Sequence, residues 1–160
     1  MAEKDVRVPV PPLEMVAAET GFLEKLLQNP QLDPFLRQAA EATLTHQAET
    51  GAPPPWTGYF AREGENWVGI CAFVGRPRDG AVEIAYGTAP GHEGRGIASA
   101  MAGWLVARAF GEAEVRAVVA NTAPQRNAST RILERHGFVR DGVIQDAEIG
   151  EAWHWKKPRE

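Results

Sequence analysis

The feature that most constrains this chain is a glycine-rich run, Glu93-Gly94-Arg95-Gly96-Ile97-Ala98, between a strand-like and a helix-like segment. Before it, the residues from Val82 to Tyr86 alternate between apolar and other types, as a half-buried strand does. After it, apolar residues at positions 97, 101, 105 and 109 recur at helical spacing. Glycines permit positive φ angles, and the first N–H groups of a helix have no acceptor within the helix. The run therefore predicts a strand–turn–helix unit that can hold a phosphate or pyrophosphate.

A second interpretation of these glycines is purely structural. A tight turn between a strand and a helix also needs small residues, whether or not it binds anything. The run differs from two common nucleotide loops, because it has neither a G-x-G-x-x-G pattern nor a Gly-Lys-Ser/Thr sequence. Evidence from the rest of the chain has to decide between the two interpretations.

Length and composition limit the classes of protein to consider. The 160 residues suit one domain, and 17 basic against 21 acidic residues give a net charge of −4. This balance argues against a broad nucleic-acid-binding face, which would show a basic stripe. The single cysteine, Cys71, excludes an intrachain disulfide, and the four histidines lack metal-ligand spacing, so we expect no metal. No signal-peptide or membrane-spanning stretch is evident, and we expect a cytoplasmic protein.

The first 55 residues are predicted to be mainly helical. A short strand is expected over residues 6–10. A helix is expected to begin at Pro11 and Pro12 and to carry Leu13, Val16 and Ala17 at helical spacing. A second helix is expected to begin at Pro34, with Asp33 as its N-cap. The run of three prolines at 53–55 is predicted to be a stiff connector.

The remaining residues are predicted to form a strand meander and then alternating helices and strands. Asp79-Gly80 and the segment from Glu63 to Asn66 have the composition of turns between strands. The predicted strands lie at 59–62, 67–74, 82–86, 115–120 and 153–155, and the predicted helices at 97–109 and 129–136. These elements make a mixed α/β domain.

From about Trp56 to Trp155 the chain resembles the GNAT superfamily of N-acetyltransferases, and most closely its branch of ribosomal-protein N-terminal acetyltransferases. Four segments carry the resemblance in the family's order: 67–73, 82–86 with Pro90, 93–98 and 127–138. The third of them matches the pyrophosphate pattern Gln/Arg-x-x-Gly-x-Gly/Ala. Glu93 departs from that pattern, since it puts a carboxylate where the family usually has Gln or Arg.

The resemblance implies a single N-acetyltransferase domain over residues 1–160, with a variable helical region at 1–55 and a CoA-binding core at 56–160. The implied GNAT-type fold has a mostly antiparallel sheet, splayed between its fourth and fifth strands and flanked by helices. The pantetheine arm of acetyl-CoA would lie in that gap. The implied cofactor-binding residues are Ala85, Tyr86, Gly87, Glu93, Gly94, Arg95, Gly96, Ile97, Ala98, Ser99 and Asn127.

The same resemblance implies that a primary amine attacks the thioester directly, with Ser129 as the donor to the leaving thiolate. Glu83 would act as the base through a water molecule or would orient the acceptor amine. Each residue also has an ordinary structural explanation. Glu83 suits a solvated or salt-bridged position on a sheet face, Ser129 suits a helix N-cap, and Asn127 suits either a cap or a pantetheine contact. Trp56, Trp153 and Trp155 would wall an acceptor pocket or simply pack.

The acceptor and the assembly are left open by the sequence. A small amine and a protein N-terminus are both compatible with it, and we expect a monomer or homodimer that binds neither nucleic acid nor membrane. Two competing hypotheses are a non-catalytic CoA-binding module that senses or scaffolds, and a phosphate-binding protein unrelated to CoA.

Overall fold

The computed structural model describes residues 12–50 and 53–160, so the strand predicted over residues 6–10 lies outside the described residues. Eleven elements follow one another within these ranges: β1 (Glu14–Ala17), α1 (Thr20–Leu27), α2 (Pro34–Thr50), β2 (Gly58–Glu63), β3 (Asn66–Phe73), β4 (Ala81–Thr88), α3 (Ile97–Phe110), β5 (Ala117–Thr122), α4 (Ala128–Arg135), β6 (Val139–Asp146) and β7 (Gly150–Pro158).

The strands form one seven-stranded sheet in the order β1-β2-β3-β4-β5-β7-β6. Every neighbouring pair is antiparallel except β4 and β5, which run parallel. The parallel pairing covers only Ala81–Glu83 against Ala117–Val119, although β4 continues to Thr88 and β5 to Thr122. The predicted splay between the fourth and fifth strands is therefore confirmed.

Each face of the sheet carries its own hydrophobic core. On one face, α3 packs against the central strands, with Met101 and Leu105 buried beside Val82, Ile84 and Val118. On the other face, α1 and α2 bury Leu23, Leu26 and Leu36 against Phe60 and Ile70 of the sheet. Alternate side chains of one strand thus reach different cores, as the pleat requires.

The prediction of a helix directly after Pro12 is wrong. Residues 14–17 form the edge strand β1, in which Met15 pairs with Ala61 and Val16 with Phe60, and the first helix begins only at Thr20. Short apolar spacings fit either structure, and here the hydrogen bonds offered by the open edge of β2 favour the strand.

The strand β6 was not predicted. Its sequence, VRDGVIQD, is mostly exposed and shows no clear alternation, and a register shift lies between Arg140 and Val143, where Gly142 has φ 97°. Only pairing with β7 along its length makes this segment a strand.

Three local predictions are confirmed. The Asp33 carboxylate accepts the N–H of Phe35 at 2.8 Å at the start of α2, and Asp79 and Gly80 take φ angles of 53° and 83° in their turn. The residues between Glu63 and Asn66 close the β2–β3 hairpin.

Candidate active site

The divergence of β4 and β5 leaves a row of backbone groups unpaired along β4. The N–H of Ala89 donates to Val68 and the carbonyl of Glu83 accepts from Val74, so residues 83, 85, 87 and 89 direct their backbone groups toward β3. The backbone groups of Tyr86 and Thr88 therefore point away from β3 and into the gap. Of the predicted pantetheine-binding residues, Tyr86 faces the gap through its backbone, while the backbones of Ala85 and Gly87 are bonded to β3.

The glycine-rich run lies between this gap and the start of α3. Gly94 has φ 78°, and Gly96 is the N-cap residue of α3 with φ 83°. None of the side chains that the structure describes caps this helix, so the N–H groups of Ile97, Ala98 and Ser99 are available at the positive end of its dipole. Uncapped N–H groups and two left-handed glycines make this helix start a suitable cradle for a pyrophosphate.

The two charged residues of the run are both engaged within the protein. Glu93 turns back, and its carboxylate accepts the N–H of Gly91 at 2.9 Å. Arg95 reaches across to β2, where its guanidinium donates to the Glu63 carboxylate at 2.5 Å. The unusual carboxylate of Glu93 thus has a local backbone partner, and Arg95 anchors the run to the β2–β3 hairpin.

Ser99 has a partner that the sequence did not reveal. Nε2 of His136, at the end of α4, lies 2.9 Å from the Ser99 carbonyl and 3.1 Å from its hydroxyl. A carbonyl only accepts, so this arrangement places the proton on Nε2. Gly103 makes room for the ring, because a Cβ there would lie 3.1 Å from Cε1 of His136. Gly103, a glycine within α3, is the sequence feature from which this close approach of α3 and α4 could have been predicted.

Asn127, and not Ser129, caps α4. The Asn127 side chain accepts the N–H of Thr130 at 3.1 Å, and the Thr130 hydroxyl contacts the N–H of Asn127 at 2.9 Å, which completes a capping box. The cap interpretation of Ser129 is therefore wrong, because the helix begins one residue earlier. Ser129 lies exposed in the first turn of α4. Capping therefore does not account for the Ser129 hydroxyl, and its role as a proton donor stays a prediction.

Glu83 lies on the face of β4 opposite to Val82 and Ile84, half-buried, at the last pair formed with β5. The side-chain amide of Asn121 on β5 donates to the Glu83 carboxylate at 3.3 Å and to that of Asp146 at 3.2 Å. The Asn121 carbonyl oxygen contacts Nδ1 of His154 on β7 at 2.8 Å. Because both carboxylates require the N–H₂ end of Asn121, its oxygen faces His154, which must donate from Nδ1.

This environment changes the acidity of both carboxylates. Burial raises the pKa of Glu83, and the negative charges of Asp146 and Glu148 raise it further. The pKa of Asp146 is lowered, chiefly because its carboxylate accepts the N–H groups of Glu148 and Ile149. Asp146 therefore ionises at lower pH than Glu83, and Glu83, whose pKa is raised, is the member of the pair better suited to accept a proton.

Several other candidate groups lie away from this carboxylate cluster. Trp153 and Trp155 lie on one face of β7 and pack toward the core of α3, on the opposite side of the sheet from Glu83. The phenol of Tyr86 also faces the α3 core, and burial raises its pKa. Burial raises the pKa of the Cys71 thiol to about 12, so it stays protonated and poorly nucleophilic.

A cavity of about 300 Å³ lies on the Glu83 side of the sheet, between α2 and strands β2 to β4. Its walls include Phe35 and Ala39 of α2, Ile70 of β3, and Ala85 and Gly87 of β4. Gly87 gives the ring of Phe35 room at this wall, because a Cβ would lie 3.2 Å from that ring. The cavity therefore borders β4 just beyond Glu83, on the opposite face from α3.

Comparison with protein families decides the identity of this fold. Residues 16–139 match the model of the acetyltransferase (GNAT) domain. The chain belongs to the GNAT acetyltransferase family. As a GNAT-family N-acetyltransferase it is an enzyme, and its family uses acetyl-CoA. Comparison with curated protein sequences gave no match.

Solved structures of other GNAT proteins share this fold at low sequence identity. A RimL ribosomal L7/L12 alpha-N-protein acetyltransferase has a TM-score of 0.69 at 20% identity, covering 94% of this chain and 96% of that one. A RimL structure in complex with coenzyme A has a TM-score of 0.68 at 18% identity, covering 94% and 97%. A chimera of the Vibrio cholerae spermidine N-acetyltransferase SpeG and hSSAT has a TM-score of 0.66 at 16% identity, covering 91% and 95%.

Residues 12–50 and 53–160 are the part of the chain that the structure describes. In it, no helix has the length and apolar character needed to cross a bilayer. In the same residues, no three or more His, Cys, Asp or Glu side chains are grouped so that they could hold a metal ion.

Proposed function

We propose that this GNAT-family enzyme transfers the acetyl group of acetyl-CoA directly to a primary amine that Glu83 deprotonates. The observation that carries this proposal is the position of Glu83. It is the last β4 residue paired with β5 before the strands diverge, and it is a carboxylate of raised pKa on the face opposite α3. An amine that approaches from this face meets a proton acceptor beside the gap.

In the proposed binding mode, the start of α3 holds the pyrophosphate through the N–H groups of Ile97, Ala98 and Ser99, with Gly94 and Gly96 allowing close approach. The backbone of Tyr86 pairs with the pantetheine arm in the gap, as an added strand would. Acetyl-CoA supplies the activated thioester, and the protein supplies orientation and proton transfer.

The proposed step forms a bond between the amine nitrogen and the acetyl carbonyl carbon and breaks the bond between that carbon and sulfur. The amine proton passes to Glu83, either directly or through one water, and the electron pair leaves with the CoA sulfur. Ser129, in the first turn of α4, is the proposed proton donor to that sulfur. A helix start lowers the cost of negative charge on a hydroxyl and thereby helps a proton to be relayed from water.

The test is Glu83→Gln with acetyl-CoA and two kinds of acceptor, pooled small amines and peptides with free N-termini. General-base assistance is typically worth ~10²–10⁴-fold, so turnover at neutral pH should fall by about that factor while acetyl-CoA affinity stays unchanged. Glu151→Gln, which alters an exposed carboxylate of β7, is the matched control and should keep full turnover.

Two results would contradict the proposal. A Glu83→Gln enzyme with the turnover and pH profile of the unmodified protein would exclude Glu83 as the base. Tight acetyl-CoA binding without acetylation of any acceptor would favour the alternative of a CoA-binding sensor or scaffold.

A further inference from the structure

We infer that the acceptor is an amine whose neighbouring substituent is compact, apolar and uncharged, and that the cavity between α2 and the sheet binds this substituent. The inference rests on the proposed function, because it deepens the description of the same site. It is argued from the position of the cavity next to Glu83 and from the chemistry of the cavity walls.

The position of the cavity connects it to the reaction gap. Ala85, Tyr86 and Gly87, which line it, are the β4 residues that follow Glu83 where β4 and β5 diverge. Glu83, Ala85 and Gly87 share one face of β4, since alternate residues of a strand do so. When the nitrogen of an acceptor amine lies beside Glu83, the substituent on that amine can extend along this face into the cavity.

The described residues that line the cavity are uncharged. Phe35, Ala39, Phe60 and Ile70 contribute apolar surface, and within residues 12–50 and 53–160 no Asp, Glu, Lys, Arg or His lines the cavity. Cys71 also borders the cavity, but its side chain packs in the α3 core on the opposite face of the sheet.

The few hydroxyl groups among the lining residues are engaged elsewhere. The Thr43 hydroxyl donates to the carbonyl of Ala39 at 2.7 Å, within α2. The Tyr59 hydroxyl donates to the carbonyl of Pro55 at 2.8 Å, and the Tyr86 phenol packs toward the α3 core. A second ammonium group in this cavity would lose its hydration and find no counter-charge, which is costly. An alkyl or aryl group would instead gain from burial.

These features favour amines with an apolar substituent over polyamines and over peptides that begin with a charged residue. The same chemistry occurs in two sources, a free aliphatic amine and a protein N-terminus with an apolar first side chain. Both sources can be tested with pairs of substrates that differ only in charge.

The experiment measures kcat/KM of the full chain with n-pentylamine against 1,5-diaminopentane, and with peptides that begin with Leu against otherwise identical peptides that begin with Asp. We expect the apolar member of at least one pair to be preferred by at least tenfold, and the better pair identifies the source. Equal or better use of the charged members in both pairs would overturn the inference and leave the proposed function standing. If no amine is acetylated although acetyl-CoA binds, the proposed function fails and this inference fails with it.

Substitutions in α2 test the cavity itself. Ala39→Leu fills it and should raise KM for the preferred apolar amine at least fivefold without changing acetyl-CoA affinity. Ala48→Leu, at an exposed position of the same helix, is the matched control and should change neither. Ala39→Asp places a carboxylate at the cavity wall and should shift the preference toward the diamine. Unchanged preference in both folded Ala39 variants would show that the cavity does not bind the acceptor.

Discussion

Asn121 joins two carboxylates that lie far apart in the chain: its side-chain amide lies 3.3 Å from Glu83 and 3.2 Å from Asp146. A donor shared in this way favours the ionised form of Glu83, against the burial and the neighbouring charges that raise its pKa. The groups that surround Glu83 are Asp146 and Glu148 near the β6–β7 turn and His154 of β7, which contacts Asn121.

Asn121→Leu should move the rise of turnover with pH to higher pH. Removing the amide donor makes ionisation of Glu83 less favourable, so its raised pKa rises further. The movement should be modest, because the bond is long and only partly shielded from solvent. The check is kcat against pH for both proteins with the same saturating amine. In a Glu83→Gln background the substitution should have no such effect, and a movement that persists there would mean that Asn121 acts through another group.

Glu83→Gln should make the protein more stable at neutral pH while it slows the reaction. The pKa of Glu83 in the folded protein lies above the ordinary value of 4.5, so the folded state holds this proton more tightly than the unfolded state. Ionisation of Glu83 therefore costs stability as pH rises above that ordinary value, and the cost is absent below it. Melting temperatures should favour the Gln variant at pH 8 and converge with those of the unmodified protein near pH 4. A difference of equal size at both pH values would contradict this explanation.

Gly96→Val should weaken acetyl-CoA binding at least tenfold, about 1.4 kcal/mol. Gly96 caps α3 with φ 83°, a conformation that a β-branched residue adopts at high cost, and the added side chain lies where the cofactor backbone contacts are proposed. Calorimetric titration with CoA measures the effect. Gly142→Val, at φ 97° in β6, where an added Cβ would have no atom within 4 Å, introduces the same kind of backbone strain away from α3 and should leave affinity unchanged. Unchanged CoA affinity in a folded Gly96→Val protein would refute the assignment of this helix start.

Ser129→Ala should lower turnover with little change in stability or CoA affinity. Ser129 does not cap α4, because Asn127 and Thr130 already form the capping box. Loss of the Ser129 hydroxyl therefore removes no cap from the helix. Asn127→Ala is the matched comparison, because loss of an N-cap costs about 1 kcal/mol of stability. Thermal unfolding and turnover per folded molecule separate the two effects. Full activity in Ser129→Ala would make the proton-donor role untenable.

Local sequence predicted the elements that depend on nearest neighbours along the chain. Asp33 before Pro34, the Asp79-Gly80 turn and the glycines before Ile97 each satisfy backbone groups within a few residues, so their composition was enough. The edge strands β1 and β6 were missed because pairing with β2 and β7 stabilises them, and their own sequences carry little alternation.

The sequence by itself determined the strand–turn–helix unit around Gly94 and Gly96, and with it the family resemblance that the comparison confirmed. Only the tertiary structure brought Glu83, Asn121, Asp146 and His154 together, from four different strands and across separations of 38, 25 and 33 residues. Turns and caps arise from short-range hydrogen bonds that residue types encode directly. The carboxylate cluster of Glu83 and Asp146 and the apolar cavity arise from the order and register of the strands in the sheet. That order and register depend on contacts between residues distant in the chain.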